Sequence, residues 1–258
     1  MRNSLDYYQV LGVNVSRITV YELHNFIVRS IKEKNKALIM NVNAHGLNLA
    51  YKQPWLRKFL NSADIVFCDG AGVIFGANIL GFPVAERITY ADWIWQLAEL
   101  AETHQYSLYL LGAKPGIAMK AGERLNECHP KLRIVGAHHG YFNKGIGNAE
   151  NEEVIREINA SNPDILIMGF GMPLQEQWLM ENWDRLEANI ALTGGAVFDY
   201  VSDNLRRAPR WMTNHGLEWL GRLIIEPSRL WRRYIIGNPI FLWRILLQRF
   251  GLLRIYSL

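Results

Sequence analysis

With 258 residues, of which 50% are apolar and 20% charged, the chain can bury a full core as one large domain or one domain with an appendage, which excludes a disordered polypeptide. The formal net charge of +4 is unevenly divided: residues 206–258 contain ten arginines, no lysine and two glutamates, a net +8, which leaves −4 for residues 1–205. Cys68 and Cys128 lack the spacing of a disulfide framework or a zinc site, and no segment has the pattern of a signal peptide or a membrane span, so a cytoplasmic protein is expected.

Six short apolar runs in residues 1–205 predict β-strands, and stretches of helical periodicity separate them. The helical spacing is clear from Val20 to Ile31 and from Trp93 to Ala101. Strands that are apolar throughout and alternate with helices indicate a parallel sheet covered on both faces. We therefore predict an α/β body with a Rossmann-like parallel sheet. The six runs cover residues 37–43, 64–70, 107–113, 132–137, 164–171 and 190–196.

Polar residues and glycines are concentrated where the predicted strands end. In open α/β sheets, ligands bind at the carboxyl ends of the strands, so a binding site is expected there. The residues concerned are Asn41, Asn43, Asp69, Gly112, Gly169, Gly171, Gly194 and Gly195.

Asp69 follows an apolar strand and precedes a glycine. A general base needs such a fixed, partly desolvated position, because desolvation raises the pKa of a carboxyl group toward the working pH. An Asx turn or a helix cap would also account for an aspartate here. Asn41 and Asn43 alternate on one strand and share a face. Their side chains would bind sugar hydroxyls or hold the next loop in place.

Two glycine-rich loops, at residues 112–116 and 169–173, each join a strand to a helix. Glycines at such a junction let backbone N–H groups approach a phosphate, or they permit a tight turn. Neither loop is a Walker A motif or a GxGxxG fingerprint. The second strand of a dinucleotide-binding unit also lacks its acidic residue, which disfavours an oxidoreductase.

No metal site and no cofactor are expected. His138 and His139 are adjacent, so on a strand they point to opposite faces and cannot chelate one ion. A DxD-type acidic pair that would hold a divalent cation on a diphosphate is also missing. If the protein handles a nucleotide diphosphate, arginines would neutralise it.

Residues 206–258 are predicted to form a helical appendage rich in arginine and tryptophan. Arginine and tryptophan together suit an anionic membrane interface. The alternative is a helical subdomain with its tryptophans packed inward, whereas nucleic-acid binding is disfavoured because residues 1–205 are acidic and no nucleic-acid-binding motif is present. Pro227 and Pro239 are interpreted as marking helix starts. The expected helices are Thr213–Ile225, Ser228–Ile236 and Ile240–Leu253.

Seven short motifs follow one another along the chain: NVNAHG, CDG at 68–70, ER at 86–87, HHGYF at 138–142, GFGMPLQEQW at 169–178, TGGAVFD at 193–199, and RRAPRW with GLEWLGRLIIEP. In this order they resemble the WecG/TagA/CpsF family of bacterial glycosyltransferases, which build teichoic acid linkers, enterobacterial common antigen and capsular or exopolysaccharide units. The resemblance extends from residue 11 to residue 234.

The resemblance implies a role for each matching residue. Asp69 would be the general base that deprotonates the acceptor hydroxyl, and Gln175 would lie near the donor sugar. Three tail arginines would close over the pocket at the membrane and stabilise the diphosphate: Arg222, Arg229 and Arg232. Other substrate-binding residues would be Asn41, Asn43, Arg87, Tyr141 and the strand-end glycines. The chain departs from the usual pattern at Asn41, where the family has threonine, and at Tyr90, where glycine is common.

The function implied is an inverting, metal-independent transfer of N-acetylmannosamine or a related hexose from a UDP-sugar to an undecaprenyl-diphosphate-linked acceptor. The protein would be cytoplasmic and peripheral on the inner face of the bacterial membrane, and it would be able to form homo-oligomers. Two other hypotheses remain. One is a non-catalytic, nucleotide-binding partner of polysaccharide synthesis at the membrane surface, and the other is a dinucleotide-dependent oxidoreductase.

Overall fold

The computed structural model describes residues 6–255, and the chain divides into two compact units. Unit 1 is formed by residues 1–19, 40–89 and 206–258, and unit 2 by residues 20–39 and 90–205. The change from unit 2 to unit 1 at residues 205 and 206 falls where the charge of the sequence changes sign. Residues 206–258 belong to unit 1 together with two segments from the first 89 residues.

The strands are β1 Tyr7–Val10, β2 Val13–Ser16, β3 Ala37–Val42, β4 Ile65–Cys68, β5 Ser107–Gly112, β6 Arg133–His138, β7 Ile165–Gly169 and β8 Ile190–Thr193. The α-helices are α1 Val20–Lys32, α2 Ala44–Lys52, α3 Pro54–Ser62, α4 Ala71–Leu80, α5 Tyr90–His104, α6 Ile117–Cys128, α7 Ala149–Ser161, α8 Leu174–Asn182, α9 Val197–Val201, α10 Arg210–Asn214, α11 Glu218–Ile225, α12 Pro227–Trp231 and α13 Gly237–Arg249. A 3₁₀ turn spans Trp183–Arg185, and a π-turn spans Arg232–Ile236.

Six of the strands form one parallel sheet in the order β4-β3-β8-β7-β5-β6. Every strand predicted from an apolar run is present, and the α/β prediction is confirmed. β3, β4, β5, β7 and β8 are buried at every position, as expected when helices cover both faces of a sheet. β6 lies at the edge and is only partly buried.

A β-hairpin formed by β1 and β2 was not predicted. Its two-residue turn consists of Leu11 and Gly12, both with positive φ, at 50° and 84°. Such turns match the twist of antiparallel strands. The signal was the alternating sequence YYQV-LG-VNVS, in which a leucine occupies a turn position that asparagine or glycine usually fills.

The tail helices differ from the prediction at Pro239. A helix start was expected there, but α12, the π-turn and α13 follow one another without a break from Pro227 to Arg249. A proline inside a helix lacks one N–H and crowds the carbonyl four residues earlier. The preceding π-turn changes the hydrogen-bond pattern at this point: the N–H of Gly237 donates to the carbonyl of Arg232, five residues back.

The tail is an integral part of unit 1. Phe241 and Ile245 are fully buried, and both lie against Gly76 of α4. Gln248 bridges to the hairpin, since its Oε1 accepts from the backbone N–H of Leu11 at 2.8 Å and its Nε2 donates to the carbonyl of Gln9 at 2.7 Å. Among residues 6–255, no helix is both long enough and apolar enough to cross a bilayer.

Candidate active site

Asp69 directly follows β4, and its carboxylate is held by a neighbouring strand. Its backbone N–H donates to the carbonyl of Val42 at 2.8 Å, and its Oδ2 accepts from Nδ2 of Asn41 at 3.0 Å. Gly70, not Asp69, is the N-cap residue of α4, so the helix-cap interpretation of Asp69 is wrong. Asn41 is buried, and it fixes the orientation of the carboxylate.

The surroundings of Asp69 give it the proton affinity of a base that works near neutral pH. Burial raises the pKa of Asp69 to about 6, and the negative charge of Glu218 adds to the effect. Arg222, the hydrogen bond from Asn41, and Arg233 act in the opposite direction. The carboxylate is therefore ionised at pH 7 and binds a proton more tightly than an ordinary aspartate does.

The tail supplies the charges that face Asp69. Glu218 is the first residue of α11, and Arg222 follows one helical turn later on the same face. Arg233 lies in the π-turn. Neither Glu218 nor Arg233 was singled out from the sequence. The resemblance singled out Arg232, whereas in the structure it is the charge of Arg233 that affects the pKa of Asp69.

The two adjacent arginines occupy different environments. Arg232 is exposed, and its guanidinium carbon lies 5.2 Å from the ring centroid of Trp231. Arg233 is directed into the protein, where its Nε is shielded from solvent and has no hydrogen-bond partner among the described residues. Burial lowers the pKa of Arg233, and Arg222 and Arg229 also lower it. A guanidinium held without a full set of partners beside a carboxylate is suited to receive an anion.

The other predicted residues of unit 1 have local roles in the structure. Asn43 is the N-cap of α2, where its Oδ1 accepts from the N–H of Gly46 at 3.1 Å, so it holds the loop in place. Arg87 donates from Nη1 to the carbonyl of Thr213 at 3.0 Å. Arg229 is exposed and paired with Glu226 at 2.9 Å.

His45 follows the Asn43 cap and also lies near the arginines of the tail. Burial lowers the pKa of His45 to about 4, and the positive charge of Arg233 adds to this effect. The imidazole is therefore neutral at pH 7, and it does not compete with the arginines as a cation. The sequence alone indicated no partner for this histidine.

The predicted glycines belong to unit 2. Gly112 and Gly169 lie on paired strands, and a Cβ on Gly112 would be 2.6 Å from the backbone of Gly169, so a side chain cannot be accommodated there. The N–H of Gly194 donates to the carbonyl of Met168 at 2.7 Å. The N–H groups of Gly171 and Gly195 donate to the side chain of Gln175 at 3.1 and 3.2 Å.

The bond from Gly171 favours the tight-turn interpretation of the loop at residues 169–173 over a phosphate cradle made of N–H groups. Gln175 is fully buried, and its amide oxygen is occupied by the two glycine N–H groups. Tyr141 lies outside this cluster of bonds, and 67% of its side chain is exposed. Within residues 6–255, no group of three or more histidine, cysteine or acidic side chains is arranged to hold a metal ion.

We compared the sequence with those of known proteins to find the family to which the chain belongs. The sequence model of the Glycosyl transferase WecG/TagA/CpsF family matches residues 8–254. The chain belongs to this family. It is similar to the N-acetylglucosaminyldiphosphoundecaprenol N-acetyl-beta-D-mannosaminyltransferases of Staphylococcus aureus strains NCTC 8325 / PS 47 and COL. Each is 26% identical over 242 residues, which cover 92% of this chain and 91% of the relative.

This family member is thus a glycosyltransferase, and the resemblance seen in its motifs is confirmed. The family match includes both the strand-end aspartate and the tail that carries the arginines. The individual assignments of Asp69, Gln175 and the tail arginines stay predictions.

The electrostatic arrangement around Asp69 predicts opposite effects for two substitutions. Glu218→Gln removes a negative charge and is expected to lower the pKa of Asp69, whereas Asn41→Ala removes a donor to the carboxylate and is expected to raise it. The pKa is measured from the carboxyl ¹³C shift of Asp69 in an NMR titration. Glu226→Gln is the control, because that glutamate pairs with Arg229. A pKa that moves equally in all three variants would contradict the arrangement.

Proposed function

We propose that this chain transfers N-acetylmannosamine or a related hexose from a UDP-sugar to an undecaprenyl-diphosphate-linked acceptor, with inversion at the sugar carbon. The observation that carries the proposal is the half-buried carboxylate of Asp69, which Asn41 orients and on which the charges of two tail arginines act. The names of the S. aureus relatives, which describe mannosaminyl transfer to an N-acetylglucosaminyl-diphosphoundecaprenol, support the choice of acceptor.

In the proposed reaction, the acceptor hydroxyl attacks the anomeric carbon of the donor while its proton passes to Asp69. The bond from that carbon to the diphosphate oxygen breaks, and the nucleoside diphosphate departs with the electron pair. Arg222 and Arg233 would stabilise the negative charge that develops on the leaving group, so that the residues present need no metal ion for this step. A carboxylate with a pKa of about 6 is ionised at neutral pH and ready to accept the proton.

The glycine loops of unit 2 are proposed, separately, to contact the donor. Gly171 and Gly195 have positive φ, and among the described residues, apart from each glycine and its chain neighbours, no heavy atom lies within 4 Å of the place where a Cβ would be. The N–H groups of both glycines already donate to Gln175. A ligand would therefore contact the Cα atoms of the glycines by van der Waals packing.

The activity is tested by mass spectrometry of a lipid-linked acceptor incubated with a panel of UDP-sugars. Asp69→Asn is expected to reduce turnover by ~100- to 10,000-fold, because it removes the base without removing a phosphate ligand. UDP affinity, measured by calorimetry, is expected to stay close to that of the wild type. Loss of UDP binding in parallel with turnover would show that Asp69 is not the base.

The adjacent arginines provide a matched pair for the charge-stabilising role. Arg233→Ala is expected to lower kcat by roughly 100- to 1,000-fold, the range seen when a group that stabilises transition-state charge is removed. Arg232→Ala is expected to change kcat far less, because its side chain is exposed beside Trp231. The reverse order of the two effects would assign the role to Arg232, as the family resemblance implies.

A membrane-facing role of the tail is part of the proposal. The tail has exposed apolar side chains, which we together call the tail face: Ile224, Trp231, Ile235, Ile236, Trp243 and Phe250. Trp231 and Trp243 are 44% and 62% exposed, so these tryptophans are not packed inward. Apolar side chains beside arginines suit an interface with anionic lipid, where the polyprenyl-linked acceptor would be located.

Membrane binding is tested by co-sedimentation with vesicles that contain anionic lipid. Substitution of both Trp231 and Trp243 by serine is expected to weaken binding by at least ~10-fold, since burial of one large apolar side chain contributes roughly 1.5–3 kcal/mol. Tyr21→Ser is the control, because this tyrosine is 75% exposed and lies in unit 2. Equal co-sedimentation of both variants and the wild type would rule out the tail face as the membrane contact.

A further inference from the structure

Two polar side chains in succession, Gln175 and Glu176, are completely excluded from solvent in the first turn of α8. Glutamine and glutamate are rarely fully buried unless they are paired, because their polar atoms lose hydrogen bonds to water. Burial of both therefore requires a compensating set of contacts.

The Gln175 amide joins two loops of unit 2. Its Oε1 accepts from the N–H of Gly171, in the loop after β7, at 3.1 Å, and from the N–H of Gly195, in the loop after β8, at 3.2 Å. The two loops are 24 residues apart in the sequence, and one oxygen atom links them. The amide oxygen of Gln175 therefore already accepts two hydrogen bonds from within the protein.

Glu176 determines which way the Gln175 amide points. Nε2 of Gln175 donates to Oε1 of Glu176 at 2.8 Å. With the amide reversed, its NH₂ group would face two N–H donors and its oxygen would face a carboxyl oxygen, so each of these contacts would be unfavourable. An acceptor at position 176 therefore keeps the amide oxygen directed at the glycines.

The protonation of Glu176 fits this role. Burial raises the pKa of Glu176 to about 7. Its Oε2 is shielded from solvent and has no hydrogen-bond partner among the described residues. Oε1 can accept from Gln175 when Glu176 is ionised, and also when it is neutral with its proton on Oε2.

We propose that Glu176 is a positioning residue that fixes the Gln175 amide and so holds the two glycine loops in the shape that receives the sugar donor. The orientation of the Gln175 amide by Glu176 is inferred from the hydrogen bonds alone. The effect on donor binding rests on the proposed function. Gln175 then acts through the loops, whereas the family resemblance implies that it lies beside the donor sugar.

The test compares substitutions that retain or remove the acceptor at position 176. Glu176→Gln keeps an oxygen that can accept from Gln175, and Glu176→Met fills similar space without one. Hydrogen exchange of the Gly171 and Gly195 amides, followed by NMR, is expected to be at least ~10-fold faster in Glu176→Met and near wild type in Glu176→Gln. UDP-sugar affinity, measured by calorimetry, is expected to fall only in the methionine variant.

The control is an exposed glutamine–glutamate pair in the same helix. Gln177 donates to Glu181 at 2.9 Å, so Glu181→Met removes a similar hydrogen bond from α8 without contact with the glycine loops. Equal acceleration in Glu181→Met and Glu176→Met would show a general loosening of α8 and overturn the proposal, as would unchanged exchange in Glu176→Met. If that variant does not fold, Gln175→Met decides: unchanged protection of both glycine amides would overturn the bridge.

The hydrogen-exchange and affinity measurements test this inference and the proposed function separately. If the wild type binds no UDP-sugar and transfers no sugar, but the glycine amides respond as expected, the proposed function fails and the positioning role stands. If the wild type binds the donor and Glu176→Met binds it equally well despite faster exchange, the link between the loops and the donor is wrong.

Discussion

The contact between the tail and α4 is the interaction on which the site in unit 1 depends. A Cβ on Gly76 would come within 2.9 Å of the Phe241 ring, so the absence of a side chain lets Phe241 and Ile245 reach the surface of α4. The bonds from Gln248 to the hairpin secure the same helix near its end. With α13 held in this way, the π-turn that precedes it places Arg233 where its positive charge lowers the pKa of Asp69. The packing of α13 against α4 therefore also determines where the charge of Arg233 lies.

Burial, neighbouring charges and a hydrogen bond act in opposite directions on the pKa of Asp69. Burial and Glu218 favour the protonated carboxyl, while Arg222, Arg233 and the amide of Asn41 favour the ionised form. If the arginines were unopposed, the carboxylate would be a weaker base. If burial were unopposed, the pKa of the carboxyl group would be higher than it is. The combination keeps the group ionised, and still basic, near neutral pH.

Much of the fold could be predicted from local sequence because its signals are local. Each strand of the parallel sheet is a short apolar run, and Asp69 is recognisable as the residue that follows one of them. Glu218 and Arg233 could not be found this way, because their importance arises only when the tail packs against α4. The role of Gln175 was also hidden, since its partners Gly171 and Gly195 lie in separate loops. The sequence shows which residues are polar, but only the folded structure shows which of them already have hydrogen-bond partners within the protein.

The π-turn at Arg232–Ile236 has a consequence for how the tails of related chains are compared. A helical wheel advances each residue by 100°, whereas a π-turn adds one residue to a turn and shifts the phase of everything that follows. Two chains can therefore align residue for residue through their arginines and still present different members of the Arg-Arg pair to the carboxylate. With α13 in place, loss of one residue between Arg233 and α13 would restore α-helical phase and move Arg232 into the position that Arg233 holds. Conserved spacing of the arginines is then a weaker guide to equivalent function than the hydrogen-bond pattern of the backbone that carries them.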